Sequence, residues 1–479
     1  MLVMVRGWKA WVVVLALLGL GGGTLLWRQR QPGVAVALDP AFVALGHPKR
    51  TVTLDLRASA GKLASVEAQV VQGGVAHTVL TEDLAAAGVS EARRPLTLEA
   101  AALGLKEGPA ELLVFARDSF WRPRLNRGPR LVQRFTVDLT PPTLELRAAT
   151  GYIKHAGAGV AVYRTTGAVR SGVQVGTAFF PGVAGLAADP AVLVAFFAIP
   201  YDGPAVAPSA LAEDEAGNQR LVGIPVTFLP ARFPKDVIRL TEPFLRRKVP
   251  ELSPQTLGTA PLDQLVAAFL QVNRVGRKDA EAKIRAITQG ETAAKPLWAG
   301  PFHQQPNSKV FANFPEERTY EVEGKTIDTA WHLGIDLASS KRIPVEAGNA
   351  GRVVFTGANG IYGNMVILDH GLGLFTLYGH MSEIGVKVGQ EVKPREPLGR
   401  SGETGLAGGD HLHVGFLVRG VYVSPLEWWD PHWLRDRVAK PLADAGVTLP
   451  GITDGALAPA SVPTGPVPPR RAASRPRHR

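Results

Sequence analysis

Four histidines and one aspartate are spaced so that they could bind a metal ion. His332 and Asp336 lie four residues apart, His380 follows, and His411 and His413 lie two apart. In a β-strand, residues two apart point to the same face, so the last two imidazoles would project together. Because the chain has no cysteine, any zinc must be held by nitrogen and oxygen ligands. Three such ligands and one open position would support hydrolysis by an activated water.

The segment that carries these residues, 297–435, is predicted to be β-rich with glycine-rich turns. Its strand candidates combine β-branched and aromatic residues and run over 349–355, 364–369, 374–378 and 411–416. Seven of the eleven histidines fall between His303 and His432. His303, His370 and His432 have no partner at ligand spacing, so we interpret them as structural.

In order along the chain, His332–Asp336, Tyr378–His380 and His411–His413 match the motifs of the lysostaphin/LytM-type zinc endopeptidases, which hydrolyse peptidoglycan. The supporting stretches 345–354, 362–371 and 398–402 also resemble that family. The resemblance covers about 297–435, under a third of the chain. It implies a compact antiparallel β domain that hydrolyses peptide bonds.

Carried over by position, the resemblance implies that His332, Asp336 and His413 bind Zn2+. His380 and His411 would then be free of the metal and act as general base and transition-state stabiliser, in an order that stays open. This division leaves the open position that a catalytic zinc requires.

Three further points concern the cleft. Asn364 is predicted to contact substrate there. The family usually has Ser-Thr-Gly-Pro before the His-x-His motif and Phe-Glu after it, whereas this chain has Gly408-Gly409-Asp410 before it and Val414-Gly415 after it. Asp410 either orients a histidine or caps its loop, and the bond that is cut is not identified.

The amino terminus contains an uncharged run over 10–27, close to the shortest length that spans a bilayer. Arg6 and Lys9 precede it, and tryptophans stand near both ends. A cleaved signal peptide is the alternative, since 35–37 has a small-x-small pattern, but basic residues separate it from the apolar run. We predict a transmembrane anchor over 1–34.

Between this anchor and the metal-binding segment, the sequence predicts two β modules and a helical connector. Alternating strands over 35–140 and 141–230 favour two small immunoglobulin-like β-sandwiches, separated at Pro141-Pro142. Apolar residues at helical spacing begin at Leu262, so 231–296 is predicted to be a helical connector. The peptidase domain is assigned to 297–440, and the Pro- and Arg-rich tail 451–479 is expected to be disordered.

The net charge of +11 does not indicate nucleic-acid binding. Residues 1–38 carry +4 and the residues after Asp454 carry +5, so only +2 remains for the rest of the chain. The part of the chain between these ends is therefore nearly neutral, and no nucleic-acid partner is predicted. The strand patterns predict a mainly β fold, and the family resemblance implies peptidoglycan as the substrate.

The predicted function is a membrane-anchored zinc endopeptidase whose catalytic domain is periplasmic or otherwise extracytoplasmic, anchored in the inner membrane. Two other hypotheses stay open: a catalytically silent relative that activates another cell-wall hydrolase, and a hydrolase of ordinary proteins. The β modules could bind a protein partner, set the distance of the site from the membrane, or cover the cleft.

Overall fold

The computed structural model describes residues 5–121, 128–253, 257 and 259–452. The described chain divides into two compact units. One unit comprises Met1–Thr143, Thr166–Arg170 and Ala212–Arg220, and the other comprises Leu144–Thr165, Ser171–Leu211 and Leu221–Arg479, each within the described residues.

The first unit begins with helix α1, Val5–Arg30. Its stretch Trp11–Arg30 is long and apolar enough to cross a membrane, a test that a signal sequence near the amino terminus also meets. The anchor that the sequence predicts is compatible with this helix, which does not by itself distinguish an anchor from a signal.

Within the described residues of this unit, eight strands that lie between 35 and 137 form two sheets around a core of their own. Alternation produces this arrangement, since Val52, Leu54 and Leu56 are buried while the residues between them are partly exposed. The sheets have the orders β1-β3-β6 and β2-β8-β7-β4-β5. The strands are β1 Ala35–Asp39, β2 Ala44–Leu45, β3 Arg50–Arg57, β4 Leu63–Gln72, β5 Val75–Asp83, β6 Glu91–Leu98, β7 Gly108–Asp118 and β8 Leu131–Val137.

The next nine strands lie between residues 143 and 229. They form sheets of the orders β14-β11-β9 and β13-β12-β15-β16 and a parallel pair, β10-β17. The immunoglobulin-like topology proposed for both modules stays a prediction. The strands are β9 Thr143–Ala149, β10 Tyr152–Lys154, β11 Ala158–Thr166, β12 Arg170–Val175, β13 Ala178–Pro181, β14 Val192–Ala198, β15 Ser209–Glu213, β16 Gln219–Gly223 and β17 Thr227–Leu229.

The connector contains the helices that its periodicity predicts, together with a strand and a helix that the sequence analysis did not identify. The strand, β18, pairs in parallel with β20, so the connector extends a sheet of the domain that follows. Its elements are β18 Lys235–Arg239, α2 Glu242–Leu252, α3 Leu262–Gln271, the π-helical turn Val272–Gly276 and α4 Arg277–Gln289.

Thirteen strands follow the connector within the described residues, and the prediction of a mainly β fold is confirmed. They are β19 Lys309–Ala312, β20 Glu316–Val322, β21 Lys325–His332, β22 Ile335–Ala338, β23 Pro344–Glu346, β24 Gly351–Ala358, β25 Asn364–Asp369, β26 Leu374–Met381, β27 Glu383–Ile384, β28 Glu391–Val392, β29 Pro397–Arg400, β30 Leu412–Val418 and β31 Val421–Val423.

The largest sheet has the order β19-β22-β30-β26-β25-β24-β28, with β31 paired to β30. Strands β26 and β30 lie at its centre and are buried along their whole length, as central strands covered on both faces are. Smaller sheets have the orders β18-β20-β21 and β23-β29-β27. The register places Asp336 opposite His413 and Gly379 opposite the same histidine, which brings the histidine motifs to neighbouring strands.

Short helices close the described chain. They are α5 Pro425–Trp429, α6 Pro431–Leu434, the π-helical turn Arg435–Ala439 and α7 Lys440–Asp444. Leu449 and Ile452 are buried, so packed chain continues beyond 440. Except for Gly451 and Ile452, the tail that was expected to be disordered lies outside the described residues.

Candidate metal centre

Three side chains of the largest sheet and its neighbour converge on one point. The three atoms are His332 Nε2, Asp336 Oδ1 and His413 Nδ1. His332 Nε2 lies 3.0 Å from Asp336 Oδ1 and 3.0 Å from His413 Nδ1, and the last two atoms are 2.9 Å apart. All three residues are buried. This cluster results from the turn between β21, which ends at His332, and β22, which carries Asp336 opposite β30.

The arrangement of protons in this cluster fits a cation. His332 Nδ1 lies 3.0 Å from the carbonyl oxygen of Asn313, which can only accept, so Nδ1 carries the proton. In the neutral ring, Nε2 therefore presents a lone pair to a carboxylate oxygen of Asp336. Two electron-rich atoms at that distance repel unless a positive charge lies between them, and two imidazoles with one carboxylate are a donor set that zinc accepts.

The protonation states suit metal binding. Burial lowers the pKa of His332, and burial also lowers the pKa of His413 to about 4, so both rings are neutral near pH 7. Burial alone would raise the pKa of Asp336, but the positive charge and hydrogen bonds that His332 and His413 supply when protonated outweigh it and lower that pKa well below its usual value. Neutral imidazoles and an ionised carboxylate are the forms that bind a metal.

The second carboxylate oxygen of Asp336 accepts a hydrogen bond from an arginine that the sequence motifs did not indicate. Arg318 donates from Nη2 to Asp336 Oδ2 at 3.0 Å and from Nε to Glu316 Oε1 at 3.1 Å. Glu316 and Arg318 alternate on β20, and Glu316 lies opposite His332 in the sheet. Two charged residues at strand spacing, Glu316 and Arg318, shortly before His332 are the signal that could have identified this ion pair.

Gly334 leaves room for the His413 ring. A Cβ atom at Gly334 would lie 2.4 Å from both Cε1 and Nε2 of His413, a separation that no side chain tolerates. The glycine inside the His-x-x-x-Asp motif is therefore required by the packing of a ligand from another strand.

His380 lies beside this cluster in a left-handed backbone conformation, with φ of 61°. Such a conformation is costly for a non-glycine residue, and functional sites are where it is commonly retained. Its Nδ1 donates to the carbonyl oxygen of Thr404 at 2.8 Å, and its ring centroid lies 4.7 Å from that of His411. Burial, together with His411 and His413, lowers the pKa of His380 well below its usual value.

His411 has the same type of hydrogen bond. Its Nδ1 donates to the carbonyl oxygen of Gly409 at 2.8 Å, and its Nε2 lies 3.6 Å from Asp336 Oδ1. Asp410 bonds to the loop instead of to a histidine: its oxygens accept from the backbone N–H of Arg342 and from Ser401 Oγ. Of the two roles considered for Asp410, the structure therefore shows the loop cap.

The remaining candidates lie outside the cluster. Asn364 begins β25, its backbone N–H donates to Thr404 Oγ1, and it is not among the residues that line the cavity over the cluster. A substrate contact for Asn364 stays a prediction that this placement does not favour. His370 is fully buried between Ala350 O and Thr376 Oγ1, and His432 is exposed near Asp430.

A cavity of about 900 Å3 opens over the metal cluster. All five predicted histidine and aspartate residues line it, and so do residues of the connector, which include Leu240, Phe244, Arg247 and Phe269. The volume lies in the upper range of small-molecule sites and is large enough for several residues of a peptide.

With the geometry established, comparisons identify the class of this domain. Residues 330–425 match peptidase family M23. A Haemophilus influenzae protein named an uncharacterized metalloprotease is 38% identical over 140 residues, which are 29% of this chain and 28% of that protein. A Vibrio cholerae protein, peptidoglycan DD-endopeptidase ShyA, is 37% identical over 119 residues, 25% of this chain and 27% of that protein.

A solved structure of the catalytic domain of lysostaphin from Staphylococcus simulans is also similar. It is 28% identical, has a TM-score of 0.23, and covers 26% of this chain and 92% of that domain. The chain spans between a quarter and a third of the length of the first curated relatives it matches. The match of residues 330–425 to peptidase family M23 identifies this segment as an M23 peptidase domain, which confirms the resemblance seen in its motifs.

Proposed function

We propose that this chain is a membrane-anchored zinc endopeptidase that hydrolyses peptide bonds in the cross-links or stems of peptidoglycan. The observation that carries the proposal is the buried His332–Asp336–His413 cluster, which opens into a peptide-sized cavity beside His380 and His411. The Vibrio cholerae relative named a peptidoglycan DD-endopeptidase supports peptidoglycan as the substrate class.

His332, Asp336 and His413 would hold the zinc ion. When bound at such a site, zinc acts as a Lewis acid that polarises a carbonyl group and lowers the pKa of water towards neutral. Arg318 fixes the orientation of the Asp336 carboxylate, and the carbonyl oxygen of Asn313 fixes the tautomer of His332.

His380 and His411 would perform the proton transfers. Each donates its Nδ1 proton to a backbone carbonyl oxygen, so each neutral ring keeps a lone pair on Nε2 that can accept a proton. One ring would take a proton from the attacking water on Nε2 and pass it to the leaving amine nitrogen. The other, protonated on Nε2 by solvent before the attack, would donate that N–H to the developing oxyanion. Both rings have the same tautomer, so the roles of base and stabiliser are assigned to the two histidines together and not to each one separately.

Helix α1 would anchor the protein, with the peptidase domain on the extracytoplasmic side where peptidoglycan lies. The apolar length of Trp11–Arg30 supports the anchor, and the proposed peptidoglycan substrate supports the extracytoplasmic side. Carbonate-resistant membrane association of a product that retains Met1 is the expected result. A soluble product that begins near residue 38 would show instead that the segment is a cleaved signal.

The activity test uses the full-length protein, purified in detergent. We expect one zinc ion per chain and the release of soluble peptides from isolated peptidoglycan. His332→Ala should lose both the zinc and the activity. His380→Ala should keep the zinc and lose about a hundredfold or more of the activity, as the loss of a general acid or base does.

Two results would contradict the proposal. One is the absence of zinc from the protein after reconstitution with the metal. The other is peptide release that neither substitution changes, which would assign the release to a contaminating hydrolase. Zinc binding without peptide release from peptidoglycan would favour the hydrolysis of another protein substrate or a scaffold role.

A further inference from the structure

The connector upstream of the family M23 match forms one wall of the catalytic cavity. Leu240, Phe244, Arg247 and Phe269 line that cavity together with the metal cluster, although the match begins only at residue 330. The parallel pairing of β18 with β20 places this wall, because β20 also carries the Arg318 that holds Asp336. Substrate that reaches the metal therefore contacts a surface that the matched region does not contain.

The packing of α2 determines which of its side chains face the cavity. Leu245 and Val249 are fully buried in a cluster with Leu265 and Phe269, so this face of the helix is fixed. Phe244 and Arg247, three residues apart, lie on the adjacent face and line the cavity. The helix therefore presents an aromatic ring and a guanidinium group to the substrate.

Arg247 has hydrogen-bonding capacity left for a ligand. Its Nη2 donates to the carbonyl oxygen of Gly408 at 3.3 Å, and its Nη1 lies 3.9 Å from a carboxylate oxygen of Glu403. The side chain is 49% exposed, and a guanidinium group has five N–H donors. One direct hydrogen bond therefore orients the group on the 402–410 loop while other donors remain accessible.

The charged residues that line the cavity have a small positive excess, which suits an anionic ligand. The lining includes four arginines and three aspartates, and a bound divalent cation would add two positive charges. Asp336 is paired with Arg318, and both oxygens of Asp410 accept hydrogen bonds from the loop. A carboxylate group near Arg247 would form charge-assisted, geometrically specific hydrogen bonds with the guanidinium.

We propose that α2 forms a substrate subsite in which Arg247 binds a free carboxylate of the peptide beside the scissile bond, while Phe244 packs against its backbone or side chains. This inference rests on the proposed function and names the feature of the substrate that the cavity selects. Arg247 is a specificity residue here and takes no part in bond cleavage.

The test compares two probes: cross-linked muropeptide dimers released from purified peptidoglycan, and the same dimers with their carboxyl groups converted to carboxamides. Binding is measured by calorimetry on the full-length, zinc-loaded protein in a His380→Ala background, in which cleavage is about a hundredfold or more slower and the dimers stay largely intact during the titration. We expect the free-carboxyl dimers to bind about tenfold more tightly than the amidated dimers, in line with one charge-assisted contact at a half-exposed site.

Arg247→Gln should abolish this preference, and Arg247→Lys should retain part of it. Arg246→Gln is the matched control, since Arg246 is the adjacent residue of the same helix, bonds to Glu242 and Ala260, and is not among the residues that line the cavity. It should keep the full preference. In the otherwise native enzyme, Arg247→Gln should raise KM about tenfold with little change in kcat, because the contact is equal in ground and transition states.

Three results would overturn the proposal: equal binding of the two dimers to the parent protein, a preference that survives Arg247→Gln, or an equal loss in Arg246→Gln. Failure of the proposed function can be distinguished from failure of the proposed subsite. A protein that binds free-carboxyl dimers through Arg247 but never cleaves them has the subsite without the activity. A protein that cleaves both dimers equally well before and after Arg247→Gln has the activity without the subsite.

Discussion

At the scale of single residues, Gly334 connects the two halves of the metal cluster. We predict that Gly334→Ala lowers zinc affinity 10- to 100-fold, the range seen when the support of a ligand is disturbed. The added methyl group would occupy the position of the His413 ring, and the ring would have to rotate out of the cluster. Zinc affinity measured by competition with a chelating dye provides the test.

Gly223→Ala is the control for that substitution, because a Cβ atom at Gly223 meets no atom within 4 Å. It should leave zinc affinity unchanged. Unaltered zinc binding in Gly334→Ala would mean that His413 does not ligate the metal in the orientation described.

Arg318 supplies a second prediction at this scale. Arg318→Met removes the hydrogen bond to Asp336 Oδ2 and leaves that carboxylate buried with one oxygen unpaired, so zinc affinity should fall 10- to 100-fold. Arg274→Met breaks a comparable ion pair with Asp328 at a more exposed position and should not affect zinc affinity. Equal affinities in the two variants would contradict a supporting role for Arg318.

The sequence indicates the four histidines and the aspartate of the candidate site more readily than it indicates the groups that support them. The pairing of His411 and His413 is visible because side chains alternate along a strand, whereas the other three residues are indicated by their match to the family motifs. The acceptors for His332, His380 and His411 are backbone carbonyl oxygens of Asn313, Thr404 and Gly409, and side-chain identity does not encode which carbonyl lies nearby. The unfavourable φ of His380 is likewise set by the fold around it.

At the scale of elements, helix α2 holds the loop that orients His380. The buried Lys248 donates from Nζ to the carbonyl oxygen of Glu403 at 2.5 Å, and the next residue, Thr404, accepts the hydrogen bond from His380 Nδ1. We predict that Lys248→Met lowers kcat about tenfold with little change in KM, because a looser loop misplaces a proton-transfer group without removing a substrate contact.

Steady-state kinetics on a soluble peptide substrate would measure this effect. Lys248→Arg keeps a donor near Glu403 and should recover part of kcat, whereas a general loss of stability would lower the melting temperatures of both variants equally. A rise in KM alone would show that Lys248 acts on substrate binding instead.

The connector shows how far periodicity predicts elements. Helices α3 and α4 were expected from apolar residues at helical spacing, whereas β18 and α2 were not identified. Strand β18 is mostly exposed, and its conformation depends on pairing with β20, about eighty residues away. Helix α2 does carry a start signal, an N-cap at Thr241 followed by Pro243, although Pro250 near its end interrupts a helical pattern.

At the scale of the whole molecule, residues 144–165 and 171–211 share contacts with the peptidase domain inside one compact unit. Thr150 Oγ1 donates to the carbonyl oxygen of Arg437 at 2.6 Å, and the Phe196 and Trp428 ring centroids are 6.2 Å apart. The backbone N–H of Ala158 donates to Glu427 Oε2 at 3.0 Å. Contacts between residues 232 to 287 positions apart therefore join segments that the sequence patterns assign to separate modules, and those patterns do not encode such contacts.

Glu427 makes the stability of this junction dependent on pH. Burial raises the pKa of Glu427 from 4.5 to about 8 in the folded protein, although the hydrogen bond from Ala158 lowers it in part. The folded state therefore binds more protons than the unfolded state between those two values, and the free energy of unfolding must fall as pH rises through that range. This difference in pKa corresponds to at most about 5 kcal/mol of unfolding free energy, and that contribution is fully lost above pH 8.

Glu427→Gln keeps an acceptor for Ala158 and removes the ionisable group, so this substitution should remove that pH dependence. We predict that the variant and the native protein have similar unfolding free energies near pH 4.5, and that the variant becomes progressively more stable than the native protein up to about pH 8. Denaturant unfolding of both proteins, followed from pH 4.5 to 8.5, measures the difference.

Glu391→Gln, at an exposed position, should show no such divergence from the native protein. A constant difference between the Glu427→Gln variant and the native protein across this range would mean that Glu427 is not buried at the junction in solution.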